Sequence, residues 1–299
     1  MSMKIASLAG AALLATSPAF AADLLNKKAP AAPVVVSPWD FTVGGGVTSN
    51  YIFRGISQSD NKPSGNVNAE LRYTISDTWQ LYLGSAASSI KLTNQASSPG
   101  VELDAIAGIR ATIGNLTADF GTIRYIYPYD VNEAGNLTNG GSKFWITNPS
   151  WQEGYVKLSY NVTEAFTLGA NAFYTPSYLD YGSNGTYLSG TAKYTMGDFA
   201  LSGEFGRQWL GKCDSRHITA TCTNSTTIGM PDYNYWNAGA SYTYKLATLD
   251  LRYHGTDMSK KECSYITGSS LYSGAASSKY CGTAVVGTLS FSLAGKDLK

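Results

Sequence analysis

Residues 39–54 read WDFTVGGGVTSNYIFR. Trp39, Phe41, Val43, Val47, Tyr51 and Phe53 share one parity, while Asp40, Thr42, Asn50 and Arg54 share the other. A period of two places such sets on opposite faces of an extended chain. The stretch therefore predicts one long strand, apolar on one face and polar on the other. Aromatic side chains stand near both ends of its apolar face.

The same alternation recurs along the chain. Val67, Ala69, Leu71, Tyr73 and Ile75 alternate with Asn68, Glu70, Arg72 and Thr74. Residues 101–113, VELDAIAGIRATI, set Glu102, Asp104 and Arg110 against Leu103, Ala105, Ala107 and Ile109. Leu249, Leu251 and Tyr253 alternate with Asp250, Arg252 and His254. Strands are expected at 39–54, 66–76, 79–88, 101–113, 116–127, 151–160, 165–175, 186–196, 199–209, 234–244, 247–257 and 282–293. In the strand at 116–127 the parity reads as shifting near Gly121, which suggests a bulge.

The connections alternate in length. Short ones carry hairpin residues such as Gly114-Asn115 and Gly197-Asp198. Long polar ones fall near 55–65, 89–100, 128–150, 176–185, 210–233 and 258–281. Short turns on one rim, long loops on the other and an even strand number predict an all-β fold. It is a transmembrane antiparallel up-and-down β-barrel of about 12 strands, with short periplasmic turns and long extracellular loops. A soluble β-sandwich would also alternate, but it has no need of aromatics at both ends of the apolar face. From Phe41 to Tyr51, at about 3.3 Å per residue and a tilt near 40°, the span is roughly 25 Å, the height of a membrane's apolar band. Trp39, Phe41, Tyr51 and Phe53 are accordingly expected in aromatic girdles.

Composition fits an exported protein. Residues 1–21, MSMKIASLAGAALLATSPAFA, read as a signal peptide: Lys4, a short apolar run, then Ala19-Phe20-Ala21. The run is too short for a membrane anchor. Residues 22–38 form an Ala/Pro-rich periplasmic linker, and the barrel takes residues 39–299. The chain has 22 Lys+Arg and 21 Asp+Glu; losing Lys4 leaves 21 of each and no net charge. That balance argues against nucleic acid as a partner. Cys213, Cys222, Cys263 and Cys281 lie in or beside two long loops. Export favours disulfides, and locality favours Cys213–Cys222 and Cys263–Cys281 over the other two connectivities. The absence of Cys-x-x-Cys argues against a zinc site, and no cofactor is expected.

Three stretches carry a family resemblance. NYIFRGISQSD (50–60) resembles the N-terminal signature of the TorF-type porin family of proteobacteria, and YIYPYD (125–130) and WQEGYVKLSY (151–160) resemble its central motifs. The likeness runs over most of the mature chain. It implies an outer-membrane β-barrel of a Gram-negative bacterium, in contact with the lipid bilayer and lipopolysaccharide, acting as a diffusion channel. One departure is the C-terminus: such barrels usually end in an aromatic residue, yet Phe291 is followed by SLAGKDLK.

The parity argument predicts which charges point into the barrel: Arg54, Glu70, Arg72, Glu102, Asp104, Arg110, Arg124, Glu153, Lys157, Lys193, Glu204, Asp250 and Arg252. With both signs present, they would set up a transverse field across a narrow water-filled pore for small hydrophilic solutes. The bland alternative is cross-strand pairing that fixes register and adds little else. An enzyme is disfavoured. His254 shares parity with Asp250 and Arg252, His217 lies in a loop, and neither has a serine placed as outer-membrane phospholipases require. A barrel without a channel, acting through its long loops, is the other functional class. The sequence leaves a homo-oligomer open.

Overall fold

A computed structural model describes residues 37–92, 100–128, 150–180, 182–212, 230–267 and 277–298. The expected signal peptide, most of the linker, His217, Cys213 and Cys222 lie outside the described residues. In chain order the elements are β1 (Trp39–Thr48), β2 (Ile52–Phe53), β3 (Ile56–Ser57), β4 (Ser64–Thr74), β5 (Trp79–Ser89), β6 (Val101–Ile113) and β7 (Leu116–Ile126). There follow β8 (Trp151–Asn161), β9 (Phe166–Thr175), β10 (Gly185–Met196), β11 (Phe199–Leu210), β12 (Tyr233–Tyr244), β13 (Ala247–Thr256), the helix α1 (Lys260–Ile266) and β14 (Ala284–Ala294).

All strands but β2 and β3 form a closed antiparallel barrel of twelve. Each wall strand pairs with its neighbours in sequence, and the chain closes where β14 meets β1. The seam runs over seven residue pairs, from Thr42↔Ala294 to Thr48↔Thr288. Strands of 10 to 13 residues, tilted by about 40°, reach roughly 25–33 Å along the barrel axis.

The polarity is the reverse of a soluble barrel's. Val67, Leu83, Ile113, Leu201, Leu249, Leu251, Val285 and Phe291 are exposed on the outer face. Glu102, Asp119, Glu153, Lys157, Gln208 and His254 are buried inside. Trp39, Tyr73, Trp79, Tyr160, Phe199, Tyr242 and Tyr244 stand outward near the short-turn rim. Tyr174, Phe205, Trp209 and Tyr253 do so nearer the other rim. At the short-turn rim Gly114 and Gly197 adopt φ of 58° and 60° at the first of two turn residues, as a two-residue hairpin demands.

Three expectations need correction. The first strand does not run to residue 54; the wall strand ends at Thr48 and the chain turns inward. Gly121 carries no bulge: β7 pairs with β6 and β8 in unbroken register. Its parity is therefore constant. Asp119, Ile123 and Tyr125 are buried inside, and Arg124 stands exposed on the outer face with Phe120 and Ile126. At the C-terminus β14 runs one residue beyond the expected end, to Ala294. A 3-10 turn over Gly295–Leu298 follows, so strand and turn together account for the tail from Ser292 to Leu298.

Candidate functional site: a hairpin inside the barrel

After β1 the chain folds into the lumen instead of over the rim. β2 and β3 pair as a two-stranded hairpin, Ile52↔Ser57 and Phe53↔Ile56. Its turn is Arg54-Gly55, with φ of 43° and 83°. Positive φ at both central residues is the type I′ pattern, whose twist suits tightly joined strands. Glycine accepts it freely, and here it is also the only side chain that fits. A Cβ on Gly55 would meet the Thr256 methyl at 2.1 Å. Arginine accepts the left-handed region only at a cost of about 1–2 kcal/mol. The surroundings must hold it there.

They do so through its guanidinium. Arg54 is 2% exposed and makes a two-pronged ion pair with Glu153, at 2.9 and 2.8 Å, while Glu153 is 0% exposed. Nη1 also donates to Gln208 Oε1 at 3.0 Å. Glu153 belongs to β8 and Gln208 to β11, so the turn reaches the wall opposite β1. The rings of Tyr187, Phe53 and Phe173 lie 4.4, 4.7 and 4.8 Å from the guanidinium carbon. Such stacking suits a weakly hydrated planar cation. Tyr125 donates a further hydrogen bond to Glu153 at 3.1 Å and stacks on Trp151 with ring centres 4.5 Å apart.

The hairpin is anchored at its base as well. The Tyr51 hydroxyl donates to Glu102 Oε1 at 2.6 Å, and its backbone N–H donates to Ser59 Oγ at 2.9 Å. Asn50 Oδ1 accepts from the hydroxyls of Ser57 and Ser59. Ser57 N–H donates to the Tyr280 carbonyl at 2.7 Å, and Ile56 bridges to Cys281. Cys281 is bonded to Cys263 of α1, so the expected Cys263–Cys281 disulfide is present and braces the hairpin from the rim. Asp60 adds a charged latch. It faces Lys62 at 2.8 Å, Lys91 at 3.5 Å and the Tyr280 hydroxyl at 2.7 Å, and the hydrogen bond from Lys62 holds its carboxyl below the ordinary range.

Two of the four residues expected in the aromatic girdles therefore sit elsewhere. Trp39 and Phe41 are exposed on the outer face, but Tyr51 is buried on Glu102. Phe53 packs edge-on against Tyr125 and Trp151, inside the barrel. The reason is the early departure of the chain from the wall: beyond Thr48, parity no longer reports on lipid and lumen.

Two further networks line the interior. On one wall Arg110 bonds Glu70 at 2.9 and 2.7 Å and Asp119 at 3.1 Å, and Arg72 bonds Asp40 at 2.6 Å. The hydroxyls of Tyr82, Tyr155 and Asp119's carboxylate converge there. The two rings lie over Gly108 and Gly121, where any Cβ would strike them. On the other wall Arg252 holds Asp250, Asn237 and Ser202, and Tyr187 donates to Glu204 at 2.9 Å. His254 bonds the Tyr235 hydroxyl at 2.9 Å, which is not a serine pairing. Lys157 is buried beside the Tyr155 ring, and Lys193 lies on the inward parity near the short-turn rim.

A closed barrel with an apolar exterior and charged interior defines a β-barrel of the membrane-spanning kind. Its family can also be stated. The chain belongs to the Gcw_chp family, bacterial proteins of unknown function, whose model matches residues 32–278. No curated protein matches the sequence. Among solved structures it is similar to the NanC porin, at 13% identity, covering 85% of this chain and 100% of that one with a TM-score of 0.45. It is also similar to the COG4313 outer membrane channel of Pseudomonas putida F1, at 9% identity, 87% and 97% coverage and a TM-score of 0.46. The toluene transporter TodX of Pseudomonas putida gives 12%, 87%, 89% and 0.42. These likenesses are distant, and none bears on what this barrel handles.

The hairpin was the element that parity missed. Its signal lay in Phe-Arg-Gly-Ile, a two-residue turn between apolar residues. It was masked because Arg replaces the usual Asn or Asp before the glycine.

Proposed function

We propose that the protein is an outer-membrane channel for small hydrophilic solutes or ions, narrowed by the hairpin at 52–57. The observation that carries this reading is the inverted polarity: apolar side chains outside and charges of both signs inside. The short turns would face the periplasm and the long loops the exterior, with the outer face in contact with lipid and lipopolysaccharide. The TorF-type resemblance of NYIFRGISQSD points the same way. Arg72, Lys193, Asp250 and Arg252 would line the wider end of the path. Arg54 with Glu153 would form the constriction, leaving solutes to pass beside it or to displace it.

One observation favours a second reading, a barrel that conducts nothing and acts through its loops. Tyr187, Tyr233, Tyr235, Gln208 and Glu153 are all fully buried around the hairpin, which leaves little free lumen at that level. Planar-bilayer recording of refolded protein separates the two. Discrete conductance steps with a reversal potential that follows the salt gradient are expected. A silent bilayer, with correctly folded protein, would remove the channel reading.

A further inference from the structure

One acidic recess in the wall has no part in holding Arg54. On the inner surface, Asn68 of β4, Ala86 of β5 and Asp104 of β6 lie side by side, and so do Asn66, Ser88 and Glu102. Neighbouring strands are about 4.8 Å apart, so the outer residues of each row stand roughly 10 Å apart with only a small side chain between them. The result is a recess lined by Tyr51, Asn66, Asn68, Ala86, Ser88 and Asp104.

Three of its buried side-chain oxygens lack a hydrogen-bond donor. Asp104 is 8% exposed, and its Oδ1 is buried without a hydrogen-bond partner. Asn66 Oδ1 and Asn68 Oδ1 are buried and unpartnered as well. Beside them Glu102, 3% exposed, is held by the hydroxyls of Tyr51 and Tyr127. No Lys, Arg or His among the described residues forms an ion pair with Glu102 or Asp104. Burying two carboxylates with no countercharge costs several kcal/mol unless a proton or a cation joins them. A single cation can bind all three unpartnered oxygens at once, whereas one added proton satisfies only one of them.

We propose that this recess binds a hard divalent cation, with calcium the best fit, through Asp104, Asn66 and Asn68 and with Glu102 supplying the neighbouring charge. All the donors are oxygen, which selects against zinc and copper. Their placement on β4 and β6, either side of β5, suits the larger, flexible coordination of calcium better than the tight octahedron of magnesium. Tyr51 lies against the recess, so an occupied site would also secure the root of the hairpin to the wall.

Terbium, which substitutes for calcium, reports on this directly because Tyr51 can sensitise its luminescence. Full-length refolded protein should give a saturable terbium signal that calcium displaces. Asp104→Asn, which keeps shape and removes charge, should weaken it at least about tenfold. Asp250→Asn, on the opposite wall, should leave it unchanged. If Asp104→Asn does not fold, Asn68→Ala takes its place with the same expected direction. Absence of a calcium-displaceable signal, or an unaltered midpoint in the recess variant, overturns the proposal. The titration is independent of conductance, so a silent bilayer would leave this result standing.

Discussion

The two ends of the lumen are built on different principles. Toward the long loops, inward side chains are large, aromatic and sealed: Trp151, Tyr187, Tyr233 and Tyr235 are buried around Arg54. Toward the short turns they are small or charged and partly accessible, as at Arg72, Asp40, Ser159, Lys193 and Asp250. Both ends share one wall with one alternation. What separates them is a hairpin of a few residues, which supplies at one end the partners that water supplies at the other. The same wall can thus act as a protein core or as an aqueous surface, depending on what the first loop does.

The largest test of that contrast is Arg54→Ala. It leaves Glu153 buried without its partner, and breaking such a pair costs about 3–5 kcal/mol. The hairpin should leave the lumen, with a marked rise in single-channel conductance and a lower urea midpoint. The Glu153→Gln change added to it should recover much of the stability while keeping the higher conductance. Unchanged conductance in a folded Arg54→Ala protein would mean the hairpin is not the constriction.

Reducing the disulfide comes next. Cys263 and Cys281 are 18 residues apart, and a cross-link of that length contributes about 3 kcal/mol. Its loss should raise amide exchange at Ile56 and Ser57 while leaving the short-turn end untouched. Gly55→Ala combines a left-handed φ with a clash against Thr256 and should cost about 1–3 kcal/mol. Thr256→Ser, which removes the offending methyl, should recover part of that loss in a thermal melt. The smallest effect belongs to the open end. Asp40→Asn breaks a part-exposed pair with Arg72 and should change stability by no more than about 1 kcal/mol, less in high salt. A large destabilisation there would show that the short-turn end is as tightly packed as the other.

The wall was legible because one face meets an apolar surrounding and the other does not, so period two survives over the full length of each strand. β6 falls on residues 101–113 as the pattern predicts. Glu70, Arg72, Glu102, Asp104, Arg110, Glu153 and Lys157 sit on the inward parity for the same reason, whereas Arg54 lies in the hairpin, beyond the wall strand. Arg124 is an exception: with no shift at Gly121 it shares the parity of Phe120 and Ile126 and faces outward. The hairpin was illegible because a segment packed on all sides by protein has no reason to alternate. Asn50, Tyr51 and Ile52 are consecutive and all buried. The recess at Asp104 was hidden for another reason, since it depends on which residues of three strands stand level, and register is not a property of any one of them.

The seam between β1 and β14 has a consequence for the order of assembly. Thr48 and Thr288, which meet across it, are separated by 240 residues, whereas Arg54 lies 99 residues from Glu153 and 154 from Gln208. Contacts that close long stretches of chain carry the greater entropic cost and form late. The turn can therefore dock on β8 and β11 while the sheet is still open. On that order the last strands would curl around an object already in place, and nothing would have to be threaded through a finished mouth.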